Sequence, residues 1–128
     1  MTEPRRVFSG SPYEARFGYC RAVRIGDRVL VAGTAPIWPD GSCDEDAGAQ
    51  ARRCYEIIGK ALAELGAEPR HVVRTRAYIT DASFTEAVGN AHGKTFAESP
   101  PVNTMVVVAG LVDERWKVEI EAEAVLDQ

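Results

Sequence analysis

The chain has 128 residues, 45% of them apolar and 27% charged, and a formal net charge of −4. That is the length of one domain, and such a chain buries roughly two thirds of its unfolded surface. An acidic balance with no basic run longer than Arg5-Arg6 or Arg52-Arg53 argues against a nucleic-acid partner, and no apolar run approaches the ~20 residues that span a bilayer. The charged start, Met1 to Arg6, has no apolar stretch behind it, so no secretory leader is expected.

In chain order, Arg5 to Phe8 reads as a strand, and Ser9 to Phe17, with Gly10, Ser11 and Pro12, as a loop. Tyr19 to Ile25 is extended, Gly26-Asp27 turns the chain, and Arg28 to Gly33 is a buried strand through Val29-Leu30-Val31-Ala32. Pro36 to Ser42 is a loop. Asp46 to Leu65 is the clearest helix: Cys54, Ile57, Ile58, Ala61, Leu62 and Leu65 form one apolar stripe. Asp44 or Asp46 can cap its start, and Gly66 ends it. Val72 to Ile79 is a strand. Phe84 to Phe96 is a second helix, weakened by Gly89 and Gly93 and broken by Pro100-Pro101. Asn103 to Val108 is a strand, Ala109 to Glu114 a loop, and Trp116 to Val125 the last strand. The order β-β-β-α-β-α-β-β predicts an α+β sandwich, a single domain over residues 1–128 with two helices on one sheet face.

The last strand alternates sharply. Val118, Ile120, Ala122 and Ala124 share one face, and Glu119, Glu121 and Glu123 the other. Val72–Ile79 repeats the pattern with opposite charge: Val73, Thr75, Ala77 and Ile79 inward, Arg74, Arg76 and Tyr78 outward. Glu and Arg rows on the non-helix face predict cross-strand or inter-subunit ion pairs. Three carboxylates in line raise one another's pKa where water is excluded, which suits one of them to general-base work.

Other chemistry has little behind it. Cys20, Cys43 and Cys54 form no Cys-x-x-Cys, which points to reduced thiols in a cytoplasmic protein. His71, which follows Arg70 before a strand and is expected at the surface, and His92 are the only imidazoles and lie far apart, so no metal site is expected. No Gly-x-Gly-x-x-Gly, Walker loop or Gly-x-Ser-x-Gly is present, so neither a nucleotide cofactor nor a serine hydrolase is indicated.

Five segments together resemble the RidA (YjgF) family of reactive imine and enamine deaminases. They are Gly18-Tyr19-Cys20-Arg21-Ala22-Val23-Arg24-Ile25-Gly26, Val31-Ala32-Gly33-Thr34-Ala35-Pro36, Val72 to Asp81, Pro101 to Val108, and Val118-Glu119-Ile120-Glu121-Ala122. The resemblance covers about Gly18 to Val125. It implies a chorismate-mutase-like fold and a homotrimer whose sheets form a central barrel, with small-molecule sites between subunits and no cofactor. It also implies that Glu119 activates a water, that Tyr19 forms a wall of the site and that the Gly33 backbone contacts the substrate.

Three positions depart from the family pattern. Asn103 stands where an arginine clamps the substrate carboxylate, Ala32 replaces a serine, and Gly89 replaces an asparagine. Met105 lies beside the site on the same strand. Arg21 is either a substitute anchor or a solvated arginine. Three readings stay open: hydrolytic deamination of a substrate unlike ordinary 2-imino acids, a non-catalytic ligand-binding trimer, and a tautomerase or other hydrolase working in the same cleft. All three expect Glu119 in an inter-subunit cleft near Asn103.

Overall fold

In the computed structural model, which describes residues 3–127, the elements run β1 (Arg5–Val7), α1 (Pro12–Phe17), β2 (Ala22–Ile25), β3 (Arg28–Thr34), α2 (Ala47–Glu64), β4 (Val72–Ile79), α3 (Thr85–Phe96), β5 (Val102–Val107) and β6 (Val118–Val125). Met1 and Thr2, part of the charged start, lie outside the described residues, as does Gln128. Six strands form one sheet in the order β1-β2-β3-β6-β4-β5. Neighbours are antiparallel except β4 and β5, which are parallel and joined through α3.

Local chemistry sets the helix ends. The Asp46 side chain accepts from the Ala49 N–H at 2.9 Å and caps α2. Gly66, at φ +81°, carries the left-handed turn that closes it. Ala51, Cys54, Ile58, Ala61 and Leu62 are buried along the helix, while Ile57 is only partly buried. Beneath lie Val118, Ile120, Ala122 and Ala124 of β6, none more than 3% exposed. Full burial of Val118 and Ile120 stabilises the fold by about 1.5–3 kcal/mol each. The apolar row of β6 therefore faces the helices, and the acidic row faces away.

Four expectations need correction. The Ser9–Phe17 segment is not all loop, because Pro12–Phe17 is a helical turn and a half. The Ser11 hydroxyl accepts from the Tyr13 N–H at 3.2 Å, Pro12 sits in the first turn, and Gly18 closes it at φ +76°. Glu14 is buried inside this turn and accepts from the Ser9 N–H and hydroxyl. Among the described residues there are thus three α-helices rather than two. Val73 does not point inward: the pairing of β4 with β6 skips it, Val72 takes the inner position, and Val73 is exposed. His71 is not on the surface; it is buried, and its Nδ1 accepts from the Glu68 N–H at 2.9 Å. The last strand starts at Val118, two residues later than its sequence suggests.

Candidate active site

The site begins at a bulge in β3. Val31 faces Ala122 and Thr34 faces Ile120, so Ala32 and Gly33 together span the single residue Glu121. The bulge frees two carbonyls from the ladder, and Arg21 takes both: its Nη2 donates to Ala32 O at 2.8 Å and to Gly33 O at 2.6 Å. The Thr34 hydroxyl also donates to Ala32 O at 2.8 Å. Arg21 is therefore not a solvated arginine, and its Nη2 is committed to the backbone. It also lies before β2 rather than within it, so strand alternation does not place it beside Tyr19. Its Nε is buried without a partner among the described residues. Burial lowers the Arg21 pKa, while nearby Glu14, Tyr19 and Glu119 oppose that shift.

Glu119 lies across this bulge. A Cβ built on Gly33 would collide with Glu119 Oε2, so the glycine is what leaves the carboxylate its place. The three glutamates of β6 are not equivalent. Glu121 accepts from the Tyr78 hydroxyl at 2.8 Å and from Arg76 Nη1 at 3.2 Å. Glu123 lies 3.5 Å from Arg28 and 3.9 Å from Arg74. Glu119 makes neither a hydrogen bond nor an ion pair among the described residues. Its pKa is raised above the ordinary glutamate value, chiefly by burial; Arg21 works against the shift and Glu121 adds to it. The sheet-face ion pairs expected from sequence thus exist for Glu121 and Glu123, and Glu119 stands apart.

An open cleft of about 590 Å³ lies over Glu119. Gly33, Tyr78 and Glu121 line its sheet side, and Val108, Gly110, Leu111 and Val112 its loop side. Sequence reasoning misses Tyr78 as a site residue, and it marks the Gly110–Trp116 loop only as one able to reshape a cleft, without naming Gly110, Leu111 or Val112 as lining it. For Tyr78 a signal exists, since alternation along β4 puts it on the face of Arg74 and Arg76. The loop has no motif, and only its position beyond β5 brings it over the cleft. Tyr19 is 45% exposed and does not line this cleft.

Asn103, Met105 and Gly89 lie elsewhere. Asn103 pairs with Thr75, a buried residue of the helix-side face. Its Nδ2 donates to Thr75 Oγ1 at 2.9 Å, and the same oxygen is 2.6 Å from His92 Nε2 on α3. Met105 pairs with Ala77 and packs against the core. Gly89 is on α3 with open space where a Cβ would stand. Glu119 pairs with Tyr78 and so sits on the opposite sheet face. Within one chain, Glu119 and Asn103 are not brought together. Among the described residues no three His, Cys, Asp or Glu side chains converge as metal ligands would. No helix is long and apolar enough to cross a membrane.

Residues 10–126 match the family model described as Endoribonuclease L-PSP. The chain belongs to this family, the RidA (YjgF) family. It is 42% identical over 121 residues to an uncharacterized protein of Streptomyces coelicolor, covering 94% of this chain and 90% of that one. It is 31% identical to a RutC family protein of Pyrococcus abyssi over 84% of each chain. The crystal structure of Rv2704 from Mycobacterium tuberculosis, a member of the YjgF/YER057c/UK114 family, superposes with a TM-score of 0.89 at 42% identity. That match covers 97% of this chain and all of the other. The YjgF gene product of E. coli gives a TM-score of 0.78 at 28% identity, over 84% of this chain and 87% of that one. The mixed sheet and its helices are those of RidA-family structures, the chorismate-mutase-like α+β arrangement.

Proposed function

We propose that this RidA-family chain hydrolyses a small reactive imine or enamine to a carbonyl compound and ammonia, in clefts between the subunits of a homotrimer. The observation that carries the reading is Glu119: a half-buried carboxylate with a raised pKa, unpaired beside two neutralised glutamates and facing a cleft. An ionised Glu119 accepts a proton from water while the oxygen adds to the imine carbon. The carbinolamine then takes a proton on nitrogen and expels ammonia as the C=O bond forms. An enamine first tautomerises by protonation at carbon. In sum, one imine and one water become one carbonyl compound and one ammonia, with the carboxylate regenerated.

Assembly is part of the proposal because the family-matched positions divide between two faces of one chain. A second copy that sets its Asn103 face against the Glu119 cleft completes the site. Asn103 supplies hydrogen bonds but no charge. A neutral contact in place of a charge-assisted fork forfeits about 1–3 kcal/mol for a carboxylate ligand, roughly ten- to hundred-fold in affinity. The substrate is therefore expected to differ from an ordinary 2-imino acid. The cations facing the sheet surface are matched by Glu121 and Glu123, which disfavours an RNA backbone there despite the family's description. Free Cys20, Cys43 and Cys54 suit a reducing, cytoplasmic setting.

The test is ammonia release from enamines generated in situ, wild type against Glu119→Ala. Loss of release in the variant supports the reading, and an unchanged rate ends it. The rival is a ligand-binding trimer without turnover, favoured by the substitutions at Ala32, Gly89 and Asn103. Melting shifts with ligands but no ammonia across a broad imine and enamine panel would establish the rival.

A further inference from the structure

Asn103 is held by a hydrogen-bonded chain that runs into the helix layer. Its Nδ2 donates to Thr75 Oγ1 at 2.9 Å, and that oxygen lies 2.6 Å from His92 Nε2. Thr75 is fully buried, so its hydroxyl has only these two partners among the described residues. A hydroxyl has one proton to give. With Thr75 accepting from Asn103, its own buried proton finds an acceptor among the described residues only if His92 Nε2 is bare. If instead His92 carried its proton on Nε2, Thr75 would accept from His92, and its own buried proton would be paired only by an amide turned over to present Oδ1. The nitrogen that is protonated on His92 therefore sets which end of the Asn103 amide faces outward. The imidazole is fixed in place by packing against Phe96, 4.8 Å between ring centres, and Tyr55, 5.9 Å. Burial lowers its pKa, which favours the neutral ring that a bare Nε2 requires.

We infer that His92, acting through Thr75, is a positioning residue that locks the Asn103 amide with Nδ2 inward and so selects a carboxamide or similar donor-bearing group over a carboxylate. In this arrangement Asn103 is exposed, and its Oδ1 and second N–H have no partner among the described residues. One acceptor beside one donor complements a primary carboxamide, which carries the same pair. A carboxylate offers acceptors alone and would set its oxygens against Oδ1. The ordinary arginine at this position has no such polarity to hold. The inference rests on the reading that Asn103 faces the ligand, and it deepens that reading by naming the ligand's chemical class.

The experiment compares pyruvamide and pyruvate binding to the intact protein by NMR titration. Both probes are already carbonyl compounds and undergo no deamination, so the outcome does not depend on Glu119 chemistry. Failure of ammonia release and failure of this preference are thereby separate results. Pyruvamide is expected to bind about tenfold more tightly, the size of one well-made hydrogen-bond preference. Thr75→Val and His92→Phe should reduce the preference to within about twofold, and Thr75→Ser, which restores the hydroxyl, should retain it. Long-range proton–nitrogen spectra of wild type should show His92 protonated on Nδ1 and bare on Nε2, a readout that needs no variant. Equal binding, tighter pyruvate binding, absence of pyruvamide binding, a preference that survives Thr75→Val, or an Nε2 proton on His92 would each overturn the inference.

Discussion

The Glu119 carboxylate occupies the space in which a side chain on Gly33 would stand. Gly33 has no left-handed backbone to explain it, so its requirement is one of room. Gly33→Ala forces the carboxylate aside without burying a new polar group. The obstacle is the far end of a flexible side chain, so the fold should accept the change, with melting lowered by no more than a few degrees. Ammonia release should fall at least about tenfold, the penalty for a misplaced catalytic group. Circular dichroism together with turnover checks both halves, and an alanine variant of full activity would detach Gly33 from the site.

Glu119→Gln separates catalysis from stability. Removing the base should lower turnover by about 10²–10⁴-fold. Its stability effect has the opposite sign. A carboxyl whose folded pKa is raised opposes folding once ionised: the cost is absent below the unfolded value and is complete above the folded one. The glutamine variant should therefore melt with wild type near pH 4 and above it near pH 8. The activity of wild type should rise with pH through a limb set above the ordinary glutamate value, because the base must lose its proton. Rate profiles and thermal scans at the two pH values check the signs.

The architecture was legible wherever side-chain periodicity coincides with burial. The alternation of β6 placed Val118 and Ile120 in the core and its glutamates opposite, and every member of the α2 stripe except Ile57 is buried, although the stripe left out Gln50, Ala51 and Tyr55. Periodicity failed where the backbone breaks its own count. One skipped residue at Val73 turned a valine outward, and the Ala32-Gly33 bulge is invisible to a pattern that assumes a step of two. The α1 turn had its signals, Ser11-Pro12 at one end and Gly18 at the other, but only six residues lie between its limits. Glu119 was legible as one of three acids. What distinguishes it, cations within reach of its two neighbours and, among the described residues, none within ion-pair distance of itself, depends on cross-strand pairing and cannot be read along one strand. His71 and His92 show the same limit: neighbours in sequence say little about either, because the partner of each lies in the fold.

Arg21 ties that bulge to the electrostatics of Glu119. Two of its hydrogen bonds hold carbonyls of Ala32 and Gly33, and its charge opposes the rise in the Glu119 pKa. Arg21→Met should cost about 1.5–3 kcal/mol for each charge-assisted bond that water does not replace. It should also move the acid limb of the activity profile to higher pH, since Glu119 then ionises against burial without a neighbouring cation. Lysine restores the charge but not the planar guanidinium whose Nη2 reaches both carbonyls, so Arg21→Lys should recover more of the limb's position than of the melting temperature. A profile that does not move in the methionine variant would show that Arg21 serves the backbone alone.

Leu30 tests whether the outer sheet face is covered by other copies of the chain. It lies in register with Glu123 on β3 and is 39% exposed, with Arg74, Arg76 and Glu121 lining the same hollow. Leu30→Glu adds a carboxylate beside Glu123 and Glu121. In an isolated chain the new group stays in water and the cost is small, on the order of 0.5 kcal/mol. At the centre of a trimer, three such groups meet symmetrically in a confined space, and repulsion with desolvation should prevent assembly. Light scattering is therefore expected to report three chains for wild type and one for Leu30→Glu, with the far-ultraviolet spectrum preserved. Turnover should disappear together with the trimer, because one chain holds Glu119 and Asn103 on opposite sides of its sheet. A variant that remains active as a monomer would mean that Glu119 needs nothing from a second copy.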